Sequence, residues 1–306
     1  MKKLLITFAA LLGALASNAQ ETYCFAQRDT CSLYLDIWRP TSASVDARKP
    51  TVLYVFGGGF ISGSRNDPTA VKWFGRLCEE GYSVVSIDYR LGMKGYKMGK
   101  GLAGASKALG RFVLAQRVGV EDVFSAVSYL AGHPELGIAT DNLVISGSSA
   151  GAIISLASAY AIANGQTEGL PEGFNFKGVM SFAGGIISDE GAPRYSKAPC
   201  PLLLLHGTAD NAVAYEHYGL LGRGIWGSSY IAAQLKKKGW NFSIWRFKDR
   251  AHDVAAYMDY LWPVEKEFLE KNVIQGISCS VDALVDDPSL PSWNDWGNIS
   301  VEDIYQ

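Results

Sequence analysis

Asn142-Leu-Val-Ile-Ser146, Gly147-Ser148-Ser149-Ala150-Gly151 and Ala152-Ile-Ile-Ser-Leu-Ala-Ser-Ala159 follow one another without a break. The first is an apolar run of the kind that makes a buried strand, and the last is a small-residue run that makes a helix. Five residues are left to turn one into the other, with glycine two places either side of Ser149. A strand-to-helix turn that tight strains the backbone and brings the two elements close together, which is what glycine permits. The serine at its apex is displayed as a nucleophile would be. The motif alone is short and turns up by chance in a chain with 33 glycines. The strand before it and the helix after it give it weight.

Either side of this turn the pattern repeats. Thr51-Val-Leu-Tyr-Val-Phe56 and Ser83-Val-Val-Ser-Ile-Asp88 are further apolar runs, the mark of strands covered on both faces. Residues 70–80 between them carry a helical pattern closed by Gly81, and Tyr34-Leu-Asp-Ile-Trp38 alternates as an edge strand does. Downstream, strands are expected at 143–146, 178–182, 201–206 and 242–247, and helices at 119–131, 150–163, 229–238 and 254–271. Strands alternating with helices predict an α/β fold, with a mostly parallel central sheet and helices on both faces. Sites in such sheets gather at the carboxyl ends of the strands. Residues 92–110 and 219–228 break the rhythm and read as mobile loops, with a lid over the site as the functional alternative.

Met1–Ala19 opens with Lys2 and Lys3, continues apolar from Leu4 to Leu15, and ends on the small residues Ser17 and Ala19. That is the pattern of a cleaved secretory signal peptide. The apolar run is shorter than the roughly 20 residues a membrane crossing needs, and no later stretch reaches that length. A secreted or periplasmic protein without a membrane segment after cleavage is expected. Residues 20–272 read as one catalytic domain. Residues 273–306 read as an acidic extension, packed on the domain or disordered, with six Asp or Glu after Cys279, no Lys or Arg, and Trp293 and Trp296. A formal charge of −2 lacks the basic footprint of a nucleic-acid partner. The five cysteines, at 24, 31, 78, 200 and 279, show no metal-binding spacing, and no cofactor or metal is expected. Cys24 and Cys31 are close enough in sequence to bridge a hairpin, although spacing alone does not determine the pairing.

A serine hydroxyl is a weak nucleophile that needs a base in contact with it, and the base needs an orienting carboxylate. Of the four histidines, His252 follows the last strand in Lys248-Asp-Arg-Ala-His252, which puts it on the same rim as Ser149. His206, leading into a turn, reads as a structural hydrogen-bonding residue, and His133 and His217 read as surface. Asp210 leaves the preceding strand at the same edge, in His206-Gly-Thr-Ala-Asp210. Asp249 and Glu216 compete for the acid's role, while Asp253 reads as a helix N-cap. Phe56-Gly57-Gly58-Gly59-Phe60 leaves a buried strand with three consecutive glycines, whose amides can approach a substrate oxygen; Ala150 supplies one more donor.

These residues together resemble the carboxylesterases and lipases of the α/β-hydrolase superfamily, in the hormone-sensitive-lipase-like or a related carbohydrate-esterase branch. The resemblance rests on Leu35-Asp-Ile-Trp-Arg-Pro40, Gly57–Gly59, Ile87-Asp-Tyr-Arg-Leu91, the turn at 147–151, His206-Gly-Thr-Ala-Asp210 and His252. It implies an α/β-hydrolase fold, with Ser149 as nucleophile, Asp210 as acid, His252 as base, and the amides of Gly58, Gly59 and Ala150 as the oxyanion hole. The chain order of serine, acid and histidine is also the superfamily's. Two positions depart from the pattern. The histidine that commonly opens the glycine motif is Phe56, which implies a differently braced loop. Too few residues precede Tyr34 for a large N-terminal cap, which implies an open site suited to small or polymer-linked acyl groups. The expected reaction is hydrolysis of small-molecule or polysaccharide-linked carboxylic esters. An inactive hydrolase-shaped binding protein and a peptidase of the same superfamily are the alternatives.

Overall fold

The computed structural model describes residues 20–41 and 46–293. The leader read at Met1–Ala19, and Trp296, lie outside the described residues. The chain opens with an antiparallel hairpin of β1 (Glu21–Arg28) and β2 (Cys31–Trp38). β3 (Thr51–Val55), α1 (Pro68–Glu79), β4 (Val84–Ile87), α2 (Gly101–Gly132), β5 (Leu143–Ser148) and α3 (Ala150–Ala163) follow in alternation. After β6 (Gly178–Phe182) and β7 (Gly185–Ser188) come β8 (Leu202–Gly207), β9 (His217–Leu220), β10 (Arg223–Gly227) and α4 (Ser228–Lys237). β11 (Ser243–Phe247), α5 (Trp262–Phe268) and β12 (Val281–Val285) complete the described elements.

Nine strands form one sheet in the order β1-β2-β4-β3-β5-β6-β8-β11-β12. The pairings from β4 to β12 are all parallel, β2 runs against them, and β1, antiparallel to β2, runs with them. This is the α/β-hydrolase fold. Every residue of β3, β4, β5, β6 and β8 is buried, as the apolar runs require of strands covered on both faces. α3 is nearly as buried along its whole length, and its Gly residue and small Ala and Ser side chains let it lie close against the sheet.

Four elements differ from the sequence reading. The helix expected at 119–131 begins at Gly101, so half of the anticipated 92–110 loop is helical. Glycines 101, 104 and 110 weaken the signal of its mostly exposed first turns, and the helix is anchored farther along. Gln116 of α2 grips β7 through both halves of its amide, donating to Ile187 O at 2.9 Å and accepting from Ile187 N at 2.8 Å. The expected 219–228 loop is mostly strand, in a second, three-stranded antiparallel sheet ordered β7-β10-β9. The single helix expected at 254–271 is a 3-10 turn at His252–Ala256, then α5, then a π-helical turn at Leu269–Ile274. Pro263 forces that break, because it cannot donate to a preceding turn but is well placed to start a helix. Beyond residue 272, β12 adds a ninth strand to the main sheet. Cys24 lies opposite Tyr34 and Cys31 opposite Arg28, so the hairpin is not bridged, and all five thiols are free.

Candidate active site

Ser149 sits between β5 and α3 with φ +52° and ψ −118°. A non-glycine residue there costs on the order of 1–3 kcal/mol, which the surrounding contacts must offset. Its amide donates to Phe182 O at the carboxyl end of β6 (2.9 Å), fixing the turn to the neighbouring strand. Gly151 lets the same turn rest on β3: a Cβ at this position would lie 2.0 Å from Val55 O and 2.6 Å from Phe56 O. The glycine loop leaves that end of β3, and a Cβ on Gly57 would come within 3.3 Å of Ser149 Cβ. Gly58 and Gly59, with φ +110° and +61°, carry the loop past the serine. Phe56 is buried and packs its ring 4.5 Å from that of Tyr89, so apolar stacking braces the loop. Ala150 begins α3, where unpaired helix amides and the positive end of the helix dipole favour a developing negative charge.

Opposite this turn, His252 opens the 3-10 turn after β11. The loop that carries it crosses β8 at Gly207, where a Cβ would lie 2.2 Å from Arg250 O and 2.3 Å from Ala251 O. Thr208 N then bonds Phe247 O, and Ala209 N bonds Arg250 O, both at 2.9 Å. Asp210 and His252 are thereby held on adjoining loops. His252 Nε2 is 2.8 Å from Ser149 Oγ, and its Nδ1 is 2.8 Å from Asp210 Oδ2. Asp210 Oδ1 accepts from Ala212 N and Val213 N, both at 2.9 Å. Burial works to raise this carboxyl, but the His252 charge and hydrogen bonds from His206 and His252 outweigh it. The group is held well below the usual carboxylate range. His252 and Asp210 are buried while Ser149 is only half-buried, so a substrate can reach the hydroxyl. Such a chain lets an imidazole take the serine proton while the carboxylate stabilises the imidazolium.

The competing residues lie elsewhere. Asp249 and Glu216 are exposed. Asp253 is buried and does not cap a helix: its Oδ1 accepts the Trp293 amide at 2.9 Å. His133 is half-buried, with its ring stacked on Tyr129, and His217 is exposed. His206 is buried, with Nδ1 2.8 Å from Ser228 Oγ and Nε2 3.0 Å from Val213 O. Its Nε2 also stands 3.3 Å from Asp210 Oδ2, a contact with the acid that the sequence reading missed. The four-residue spacing in His206-Gly-Thr-Ala-Asp210 was the available signal. Among the described residues no His, Cys, Asp and Glu cluster could hold a metal ion, and no helix is long and apolar enough to cross a membrane.

Comparison with known proteins places this geometry in context. A family model described as "Carboxylesterase family" matches residues 14–170. Secreted lipase 1 of Botryotinia fuckeliana is 30% identical over 172 residues, covering 55% of this chain and 27% of that protein. Chlorogenic acid esterase of Aspergillus niger is 30% identical over 166 residues, 53% of this chain and 27% of that one. The aligned stretch therefore spans about a quarter of the length of these relatives. Among solved structures, the apo form of Thermogutta terrifontis esterase 2 superposes with a TM-score of 0.58 at 21% identity. That superposition covers 82% of this chain and 94% of that one, and supports the fold.

Proposed function

The chain belongs to the carboxylesterase family, and from that premise we propose that it is an exported serine esterase acting on short-chain or carbohydrate-linked acyl groups. Ser149 Oγ attacks the ester carbonyl as His252 Nε2 takes its proton, and the carbonyl oxygen becomes an oxyanion held by the amides of Gly58, Gly59 and Ala150. Collapse of this intermediate breaks the bond to the alcohol, which leaves with the proton from His252. Water, deprotonated by His252, then attacks the acyl-serine, and a second collapse frees the acid and returns the proton to Ser149. Asp210 keeps Nδ1 protonated throughout and aims Nε2 at the serine.

The observation that carries this reading is the unbroken contact from Ser149 Oγ through His252 to Asp210, 2.8 Å at each step. The names of the relatives, lipases and a chlorogenic acid esterase, support an ester as substrate. Glu21–Arg28, the described segment before β2, forms a strand of the main sheet, which supports an open site and small or polymer-linked acyl groups. The leader-like N-terminus supports export.

The test is hydrolysis of p-nitrophenyl esters from acetate to decanoate by the mature protein beside Ser149→Ala, with fluorophosphonate labelling of both. Turnover of the short esters that is lost in the variant, with labelling at Ser149, is expected. A folded wild-type protein that neither turns over nor labels would sink the proposal and favour the inactive binding protein. Cleavage of peptides in preference to esters would favour a peptidase.

A further inference from the structure

The loop that carries His252 is attached along its length to residues 285–293. Lys248 N donates to Val285 O at 2.9 Å, Lys248 Nζ pairs with Asp286 Oδ2 at 2.7 Å, and Arg250 Nη2 donates to Asp287 O at 3.0 Å. Past the histidine, Asp253 Oδ1 accepts Trp293 N at 2.9 Å, and the Tyr257 hydroxyl donates to Pro291 O. The Trp293 ring rests against Tyr257 and Tyr260, with centroids 5.8 and 6.4 Å away. Residues 281–293 thus begin as β12 on the edge of the sheet and continue as a strap that follows residues 248–257.

On its other side the histidine turn is tied to the nucleophile's strand, since Ser148 Oγ donates to Ala255 O at 2.7 Å. The turn is short, 3-10 rather than α, and has no side-chain cap. Few bonds of its own hold it in place. The Asp253 carboxylate, adjacent to His252 and 2% exposed, gives its bond to a residue 40 positions away instead of to its own turn.

We infer that the C-terminal strap, through Asp253, Tyr257 and Trp293, is a positioning device that fixes the imidazole of His252 between Ser149 and Asp210. This rests on the esterase reading above. A histidine free to rock by a fraction of an ångström loses alignment with the serine in the transition state more than it loses substrate binding, so the loss appears in kcat. The strap at residues 281–293 then sets turnover by way of His252.

The experiment uses full-length wild type, Ser149→Ala, Asp253→Ala, Asp253→Asn, Tyr257→Phe and Trp293→Ala. Turnover of p-nitrophenyl acetate is expressed per serine titrated to completion with a fluorophosphonate. Asp253→Ala and Trp293→Ala are expected to lose about tenfold or more in kcat per titrated site, with KM changed by less than about twofold. Asp253→Asn keeps an acceptor for Trp293 N and should recover most of the loss. A contact with only a structural role would lower the melting temperature and the number of titratable sites but leave kcat per site unchanged, and that result overturns the proposal. If Asp253→Ala does not fold, Tyr257→Phe, which removes a single hydroxyl, decides between the same outcomes. A wild type that neither hydrolyses nor labels would overturn the esterase reading and this one together, a result separable from variants that fail beside an active wild type.

Discussion

Gly151→Ala tests the idea that close approach of two backbones builds the site. The added methyl would lie 2.0 Å from Val55 O and 2.6 Å from Phe56 O, and both obstacles are main chain of a buried strand, which cannot rotate away. To reach an ordinary contact, the 147–151 turn must move off the end of β3 by about 1 Å, a displacement that by itself can cost on the order of 10²-fold in rate. Ser149 moves with the turn, whereas the Gly57–Gly59 loop stays with β3, so nucleophile and oxyanion donors separate. Overpacking of this kind destabilises by about 1–3 kcal/mol. The fair control is Gly110→Ala in α2, where a Cβ meets nothing within 4 Å and should stabilise by about 0.5–1 kcal/mol with unchanged activity. The assay is p-nitrophenyl acetate kinetics on protein shown to be folded by circular dichroism, alongside thermal melting. If Gly151→Ala keeps its melting temperature and a kcat within about threefold of wild type, the turn does not depend on this approach and the argument fails.

Three further outcomes are expected. Asp210→Asn leaves the fold intact but lowers kcat by about 10⁴-fold, because the amide no longer enforces the imidazole tautomer; steady-state kinetics check it, and a loss of less than about tenfold would point to another acid. Because the Asp210 carboxyl is held below its ordinary range, it stays ionised as pH falls through about 4, where a free carboxyl protonates. The acid limb of kcat/KM should therefore fit one proton, and the stability this carboxylate contributes at neutral pH is lost progressively as pH falls from about 4 toward its lowered value. A limb requiring two protons between about pH 4 and neutrality would contradict this. Glu265 is fully buried and accepts from Trp73 Nε1 at 2.7 Å, and burial pushes its carboxyl well up. Its folded value lies above its unfolded one, so stability is lost as pH rises between them, and Glu265→Gln should flatten the fall in melting temperature as pH rises above about 4.5.

The central sheet was legible because its strands announce themselves. Thr51–Val55 and Leu202–Leu205 are unbroken apolar runs, and Ser149 stands between two glycines at a change of period. Ser149, Asp210 and His252, which the structure brings into contact, could be picked out from their places just past strand ends. What escaped has physical reasons. The four residues of β9 are all exposed, so no alternation marks them. β12 is half-exposed on one face and exposed on the other, and its signal is faint. The first turns of α2 are written in glycine and small residues and are mostly exposed, so neither strong propensity nor an apolar stripe marks them. Asp253 looked like a cap because its partner, the Trp293 amide, is 40 residues away.

The β9–β10 hairpin enters and leaves the domain at a single point: Gly227 N bonds Glu216 O at 2.8 Å, and Ser229 N bonds Tyr215 O at 3.0 Å. Between those closures β10 is paired with β7 and Trp226 is buried, so only β9 and the turn at residues 221–222 stand outside the frame that holds Asp210 and α4. Such a segment behaves as an insertion site. Lengthening or replacing the exposed turn at residues 220–222 costs little in loop closure and leaves the pairing of β10 with β7 undisturbed. The part of the molecule beside the acid loop can therefore diversify, or be grafted by design, without the chemistry being rebuilt each time.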